Sequence, residues 1–279
     1  MKLGIFAKTF AGTTPREVLS AAQRAGYDAV QYNLACSGLG PLPAVVPAQE
    51  ADEVHAATEE TGVEVVAVSA TYNMVHPDPL ERQQGRRSFT AIAGAARRMG
   101  TRLLTVCTGS RDARDQWRYH PDNASPVTWR ELCAECEAIL RVAEAHDLVI
   151  GVEPELSNVV DSPRRARELI DALGSERVRI VLDPANLFEI AGPEQRRELV
   201  EGAIDLLADR IALAHAKDRG ADGRFTAAGK GVVDFRHYLR ALRRSGFDGP
   251  LITHGLAQHE AAEVTTYLRA AMNFAEEAG

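Results

Sequence analysis

The chain has 279 residues, 45% apolar and 25% charged, with a formal net charge of −7. This length admits one α/β barrel or two smaller domains, and an acidic balance without a basic run argues against a nucleic-acid partner. No apolar run is long enough to span a membrane, the apolar start is too short for a signal peptide, and four cysteines lack a secreted framework; the expected home is a reducing cytoplasm.

Leu3 to Phe6 reads as a first strand. Thr14-Pro15 then gives an N-cap with proline at the first helical position, and Gly26 stops the helix. Ala29 to Tyr32 is the second strand, followed by a Gly/Pro-rich loop from Cys36 to Pro47 and a helix over 48–61. Val63 to Ala70 is the third strand; a polar loop through His76 leads into a helix over 79–99. Arg102 to Val106 is the fourth strand. The loop after it, Cys107 to Pro126, carries Arg111, Trp117, Tyr119 and Asn123; its length and composition predict an ordered lid or substrate loop.

A helix over 127–146 contains Cys133 and Cys136, a C-x-x-C with no second pair, read as ordinary helix residues. Val149 to Glu153 is the fifth strand, Val178 to Leu182 the sixth, Ile211 to His215 the seventh and Leu251 to His254 the eighth. Helices are expected after each of them, beginning at Asp161-Ser162-Pro163, Pro193, Phe235 and about His259. Eight strand–helix pairs without a long linker predict a single (β/α)8 TIM barrel over residues 1–279, with its site at the carboxyl ends of the strands.

Four of those ends share one chemistry. The apolar run at 149–152 meets Glu153-Pro154-Glu155, and Val178 to Leu182 meets Asp183-Pro184. Ile211 to Ala214 meets His215, and Leu251 to Thr253 meets His254. An ionised carboxylate at the end of a buried strand is costly unless paired or bound to a cation. Two carboxylates and two imidazoles on adjacent strands form a metal-ligand inventory, one that favours Mn²⁺ or Zn²⁺, with Co²⁺ or Fe²⁺ next, over Mg²⁺.

These pieces carry a resemblance. Val152-Glu153-Pro154-Glu155, the run Val181 to Leu187, His215-Ala216-Lys217-Asp218 and the run Gly229 to Phe235 occur in an order that resembles the xylose isomerase-like barrel superfamily, in its sugar phosphate isomerase/epimerase branch. The resemblance implies one divalent metal held by Glu153, Asp183 and His215. Relatives close the set with a glutamate at the eighth strand end, where this chain has His254.

What the resemblance implies is an isomerase or epimerase of a sugar or keto-sugar working through a metal-stabilised enediolate. Glu153 or Glu155 would remove the proton, Lys217 would steady the oxyanion, and His254 would act as ligand, acid/base or both. Asn186, His76, Cys107 and Arg111 are the expected substrate contacts. Two other readings stay open: a lyase that dehydrates a keto-sugar or keto-inositol, and a metal-stabilised sugar-binding barrel without turnover. A DNA repair nuclease of the endonuclease IV kind would need more ligands and a basic face. Each residue also has a plainer reading: Glu153 as an ion-pair partner, Asp183 as a turn residue, His215 as a core histidine, His254 as a turn residue, Glu155 as a solvated loop acid. A homo-oligomer is compatible with the sequence.

Overall fold

The computed structural model describes residues 1–277. Parallel strands Leu3–Phe6 (β1), Ala29–Tyr32 (β2), Glu64–Ser69 (β3), Leu103–Cys107 (β4), Val149–Glu153 (β5), Val178–Leu182 (β6) and Ile211–Arg219 (β7) pair in chain order. A short strand, Phe225–Ala227 (β8), folds back on β7, and Leu251–Thr253 (β9) then pairs with both β7 and β1, which closes an eight-stranded barrel.

Eight helices surround it: Pro15–Arg24 (α1), Ala48–Thr61 (α2), Pro79–Ala96 (α3), Pro126–Ala145 (α4), Pro163–Leu173 (α5), Pro193–Leu207 (α6), Phe235–Arg244 (α7) and Ala261–Glu277 (α8). Five of them open on proline, whose missing N–H costs nothing in the first turn. The residues before four of those prolines, Thr14, Asp78, Ser125 and Ser162, accept a first-turn N–H through their side chains. None of the helices among the described residues is long and apolar enough to cross a membrane.

Strand periodicity separates two cores. The larger lies between strands and helices. A smaller one plugs the barrel floor with Ala67, Leu103, Val181, Leu213 and Ile252. Gly4 leaves room for that plug, because a Cβ there would come within 2.5 Å of Ile252 Cδ1. Side chains two residues further along a strand share its face. Leu103 is thus followed inward by Thr105 and Cys107, Val181 by Asp183, Leu213 by His215 and Lys217, and Ile252 by His254. The floor is apolar and the layer above it is polar, which is what aims the chemistry at the carboxyl end.

The seventh strand departs from the sequence expectation. It runs four residues past His215 and pairs Lys217, Asp218 and Arg219 with Ala227, Thr226 and Phe225. The charges tolerated there have partners. The fully buried Asp218 carboxylate accepts the backbone N–H groups of Gly229, Gly231 and Val233 at 2.9–3.0 Å. Gly231 is required sterically, since a Cβ would lie 2.3 Å from the Arg219 carbonyl oxygen. Asp234 then caps α7 by accepting the His237 N–H. The glycine-rich run 229–235 is therefore a clamp that fixes the hairpin to the barrel.

Asp218→Ala strands several buried donors at once and should cost about 3 kcal/mol or more of unfolding free energy in urea titration. A change within about 0.5 kcal/mol would mean that the clamp carries no weight.

Candidate active site

Glu153, Asp183 and His215 meet at the top of the plug. Ligand atoms from all three lie within 4.8 Å of one another, and all three residues are buried. His215 Nδ1 is 3.1 Å from Glu153 Oε1 and 3.6 Å from Asp183 Oδ2. Its Nε2 donates to Gln31 Oε1 at 2.9 Å, and Gln31 Nε2 in turn donates to Thr105 Oγ1 at 3.0 Å. Because the Gln31 oxygen can only accept, this chain fixes the ring's orientation with Nδ1 toward the carboxylates.

Lys217 is the second buried cation. Its Nζ lies 3.0 Å from Asp183 Oδ2 and 3.6 Å from Glu155 Oε1. Asn186 Nδ2 donates to Glu153 Oε1 at 3.1 Å and to the Pro154 carbonyl at 3.2 Å. Cys107 Sγ stands 3.8 Å from Glu153 Oε2. His254 stacks parallel on His215 with ring centroids 5.5 Å apart, and tilts against Phe6 on its other side.

Charge pairing sets the protonation of the cluster. Burial penalises the Glu153 carboxylate, but the His215 and Lys217 charges hold its pKa below the usual range. Asp183 is held well below that range against the same penalty, chiefly by Lys217 and His215. Glu155 goes the other way: burial and the neighbouring Glu153 push it up to about 7. Burial disfavours the His215 imidazolium, yet Glu153 and Asp183 raise it to about 9. His254 is lowered to about 4 by burial and by the nearby His215 and Lys217 cations, so it is neutral. Burial, reinforced by Glu153 and Glu155, pushes the Cys107 thiol up, so it is a thiol and not a thiolate.

The donor set fits a divalent cation. Two carboxylates and an imidazole converge, and one buried side-chain atom beside them, His254 Nδ1, makes no hydrogen bond. Unpartnered buried polar atoms mark a place where something else binds. His254 is outside the tight group of three and adjoins it through the ring stack.

A cavity of about 590 Å³ opens above the cluster, and Glu153, Glu155, Cys107, His215, Lys217 and His254 all line it. Of the four expected contacts only Cys107 lines it: Asn186 is buried behind Glu153, and the other two lie elsewhere. Arg111 turns away to Thr128, Glu131 and the Val75 carbonyl, pinning the long loop to α4. His76 bonds to the Ala113 carbonyl and lines a separate surface hollow. The long loop is ordered, as expected, with Gln116 and Trp117 in the cavity wall. Gln31, Arg219 and Phe225 also line the cavity. Sequence reasoning missed them: Gln31 sits in a short strand without a spacing signal, and the other two belong to the unforeseen hairpin.

The sequence profile of the xylose isomerase-like TIM barrel family matches residues 19–278. The chain belongs to that family. Among solved structures, the barrel is similar to 3-keto-D-glucoside 4-epimerase YcjR from E. coli in its apo form, at TM-score 0.78 and 18% identity over 97% of this chain and 99% of that one. It is similar to an L-ribulose 3-epimerase at TM-score 0.79 and 16% identity over 99% and 96% of the two chains. The IolI protein with a bound zinc atom superposes at TM-score 0.75 and 15% identity over 98% of each chain. No curated protein matches the chain in sequence.

Ligation needs a neutral imidazole, and His215 is imidazolium at pH 7.5. Zn²⁺ or Mn²⁺ binding should therefore release a proton, visible in calorimetry as a dependence of the heat on the buffer's ionisation enthalpy. Asp183→Ala should purify with little bound metal. Full metal content in that variant, or binding without proton release, would remove this group as the ligand set.

Proposed function

We propose that the barrel is a divalent-metal-dependent isomerase or epimerase acting on a sugar that carries a carbonyl. The convergence of Glu153, Asp183 and His215 within 4.8 Å at the barrel mouth, beside Glu155 and Lys217, carries this reading. The similarity to sugar epimerases of the same family supports it. Glu153, Asp183 and His215 would hold the cation, with His254 adjoining. A bound divalent ion supplies Lewis acidity, which makes a C–H next to a carbonyl easier to deprotonate.

The remaining work falls to the chain. Glu153 is engaged by His215 and Asn186 and suits ligation. Glu155 meets Lys217 at 3.6 Å and lines the cavity, so it is the carboxylate placed to take the substrate proton. Lys217 offsets the negative charge that then develops, from a position already fixed by Asp183. His254, with its free Nδ1, is placed to exchange a proton from another strand end. Cys107 and the Phe6 ring add apolar wall beside these groups.

Elimination is the second reading. It is favoured by one observation: the group at the end of β9 is an imidazole and not a carboxylate that would pair with Glu155 in a symmetric proton exchange.

Metal-loaded protein incubated in D₂O with ketoses and 3-keto-sugars should place deuterium on the carbon beside the carbonyl. A dehydrated product without exchange would select the lyase. Neither outcome, together with ligand-induced thermal stabilisation, would leave a binding barrel. Glu155→Gln should keep its metal and lose at least about 10²-fold in exchange rate, the usual weight of a general base. Retention of full exchange would transfer that role to another group.

A further inference from the structure

The cavity is larger than the sugar the proposed reaction needs. It encloses about 590 Å³. A hexose, with twelve heavy atoms, fills roughly 200 Å³ at the packing density of protein interiors. The surplus is enough for a second ring.

Two aromatic side chains border that surplus. Phe225 is 49% exposed and Trp117 is 48% exposed, and both line the cavity. Two half-exposed aromatics bordering one pocket offer apolar faces on which a ring can stack. Phe225 packs against two cations. Lys217 Nζ and Arg219 Cζ each stand 4.1 Å from its ring centroid. Arg219 is itself locked by hydrogen bonds to the Ala185 and Gly223 carbonyls at 2.8 and 2.5 Å. The platform is thus rigid before anything binds, so little entropy is lost when a ring stacks on it.

Its position is also fixed relative to the ligand cluster. The Lys217 ammonium that touches Phe225 lies 3.0 Å from Asp183 Oδ2, so one side chain separates the platform from the proposed reaction centre. Trp117 lies on the loop after β4. There Asp115 accepts its backbone N–H at 2.9 Å, and Asn158 donates to the Gln116 carbonyl at 3.0 Å. Beside it, Gln116 Oε1 is buried without a hydrogen-bond partner and belongs to the same cavity wall. A buried acceptor with nothing to accept is satisfied by a ligand hydroxyl.

We infer that Phe225, Trp117 and Gln116 form a second subsite for a glycosidically linked ring, so that the substrate is a keto-sugar carried in a glycoside rather than a free monosaccharide. The inference rests on the proposed keto-sugar chemistry at Glu153, Asp183 and His215. A pyranose ring suits the subsite because its C–H face stacks on an aromatic while its hydroxyls reach Gln116.

The test is calorimetric binding to metal-loaded protein. D-fructose and D-tagatose are compared with ketose disaccharides of different linkage: lactulose, turanose and isomaltulose. At least one disaccharide should bind about tenfold tighter than either monosaccharide, the weight of one stacked ring. Phe225→Ala should collapse that preference and Phe225→Tyr should restore it; Trp117→Ala should lower it independently. Phe225 is half exposed, so the truncation does not open the core. Monosaccharides binding as tightly as every disaccharide, or a preference that survives both truncations, would overturn the subsite and leave the keto-sugar reading standing. Binding of no sugar of either kind would overturn both.

Discussion

Two carboxylates and two cations buried within hydrogen-bonding reach of one another govern the upper half of this barrel. Glu153 and Asp183 come from β5 and β6, and His215 and Lys217 from β7, with contacts of 3.0 to 3.6 Å between opposite charges. Each charge alone would be prohibitive at this depth, and even a paired set seldom stabilises a fold as well as apolar side chains of the same size. The plug below, built from Ala67, Leu103, Val181, Leu213 and Ile252, shows what the same strands do when only stability is at stake. The change from apolar to ionic within two residues along β6 and β7 is stability given up for a site.

The supporting structure follows from holding those charges still. Gln31 fixes the far nitrogen of His215, and Asn186 fixes Glu153. Asp218, one residue past Lys217, anchors β7 by gathering three backbone donors of the following loop. Without that clamp the strand would fray beyond His215, where its residues are charged and β8 is their hairpin partner. The hairpin brings Arg219 and Phe225 to the cavity, so a backbone clamp outside the cluster shapes the wall that a ligand would meet.

The legibility of the sequence was uneven for physical reasons. Glu153 and Asp183 could be read because an apolar strand ends at each and a proline follows, and His254 because the run Leu251 to Thr253 ends at it. The eight-fold repeat was legible through proline and glycine punctuation at helix ends. His215 was legible by residue type, but its place within the strand was not. Lys217, Asp218 and Arg219 look like a loop until their partners, 6 to 15 residues away, are known; tertiary pairing overrides strand propensity there. Gln31 was invisible because its meaning comes from a histidine 184 residues later. Arg111 and His76 have the right chemistry on the right loops, yet their side chains are spent on holding those loops together.

The imidazole at the end of β9 makes sense as charge balance. Three carboxylates, Glu153, Asp183 and Glu155, meet Lys217 and His215 in the cluster, while Arg219 and Glu189 add one charge of each sign to the cavity wall. If a divalent ion takes the place of the His215 proton, the three carboxylates are matched by Lys217 and the ion, and the site is neutral. A glutamate at position 254 would add a fourth carboxylate to the same enclosed space and leave it negative, against a substrate that must itself become negative during proton abstraction. A neutral imidazole, kept neutral by burial and by the cations beside it, offers a nitrogen to a metal or a proton without that penalty. Lys217 and His254 are therefore best understood together. The buried ammonium does part of the work of a cation, and the histidine avoids adding an anion that the ammonium could not offset.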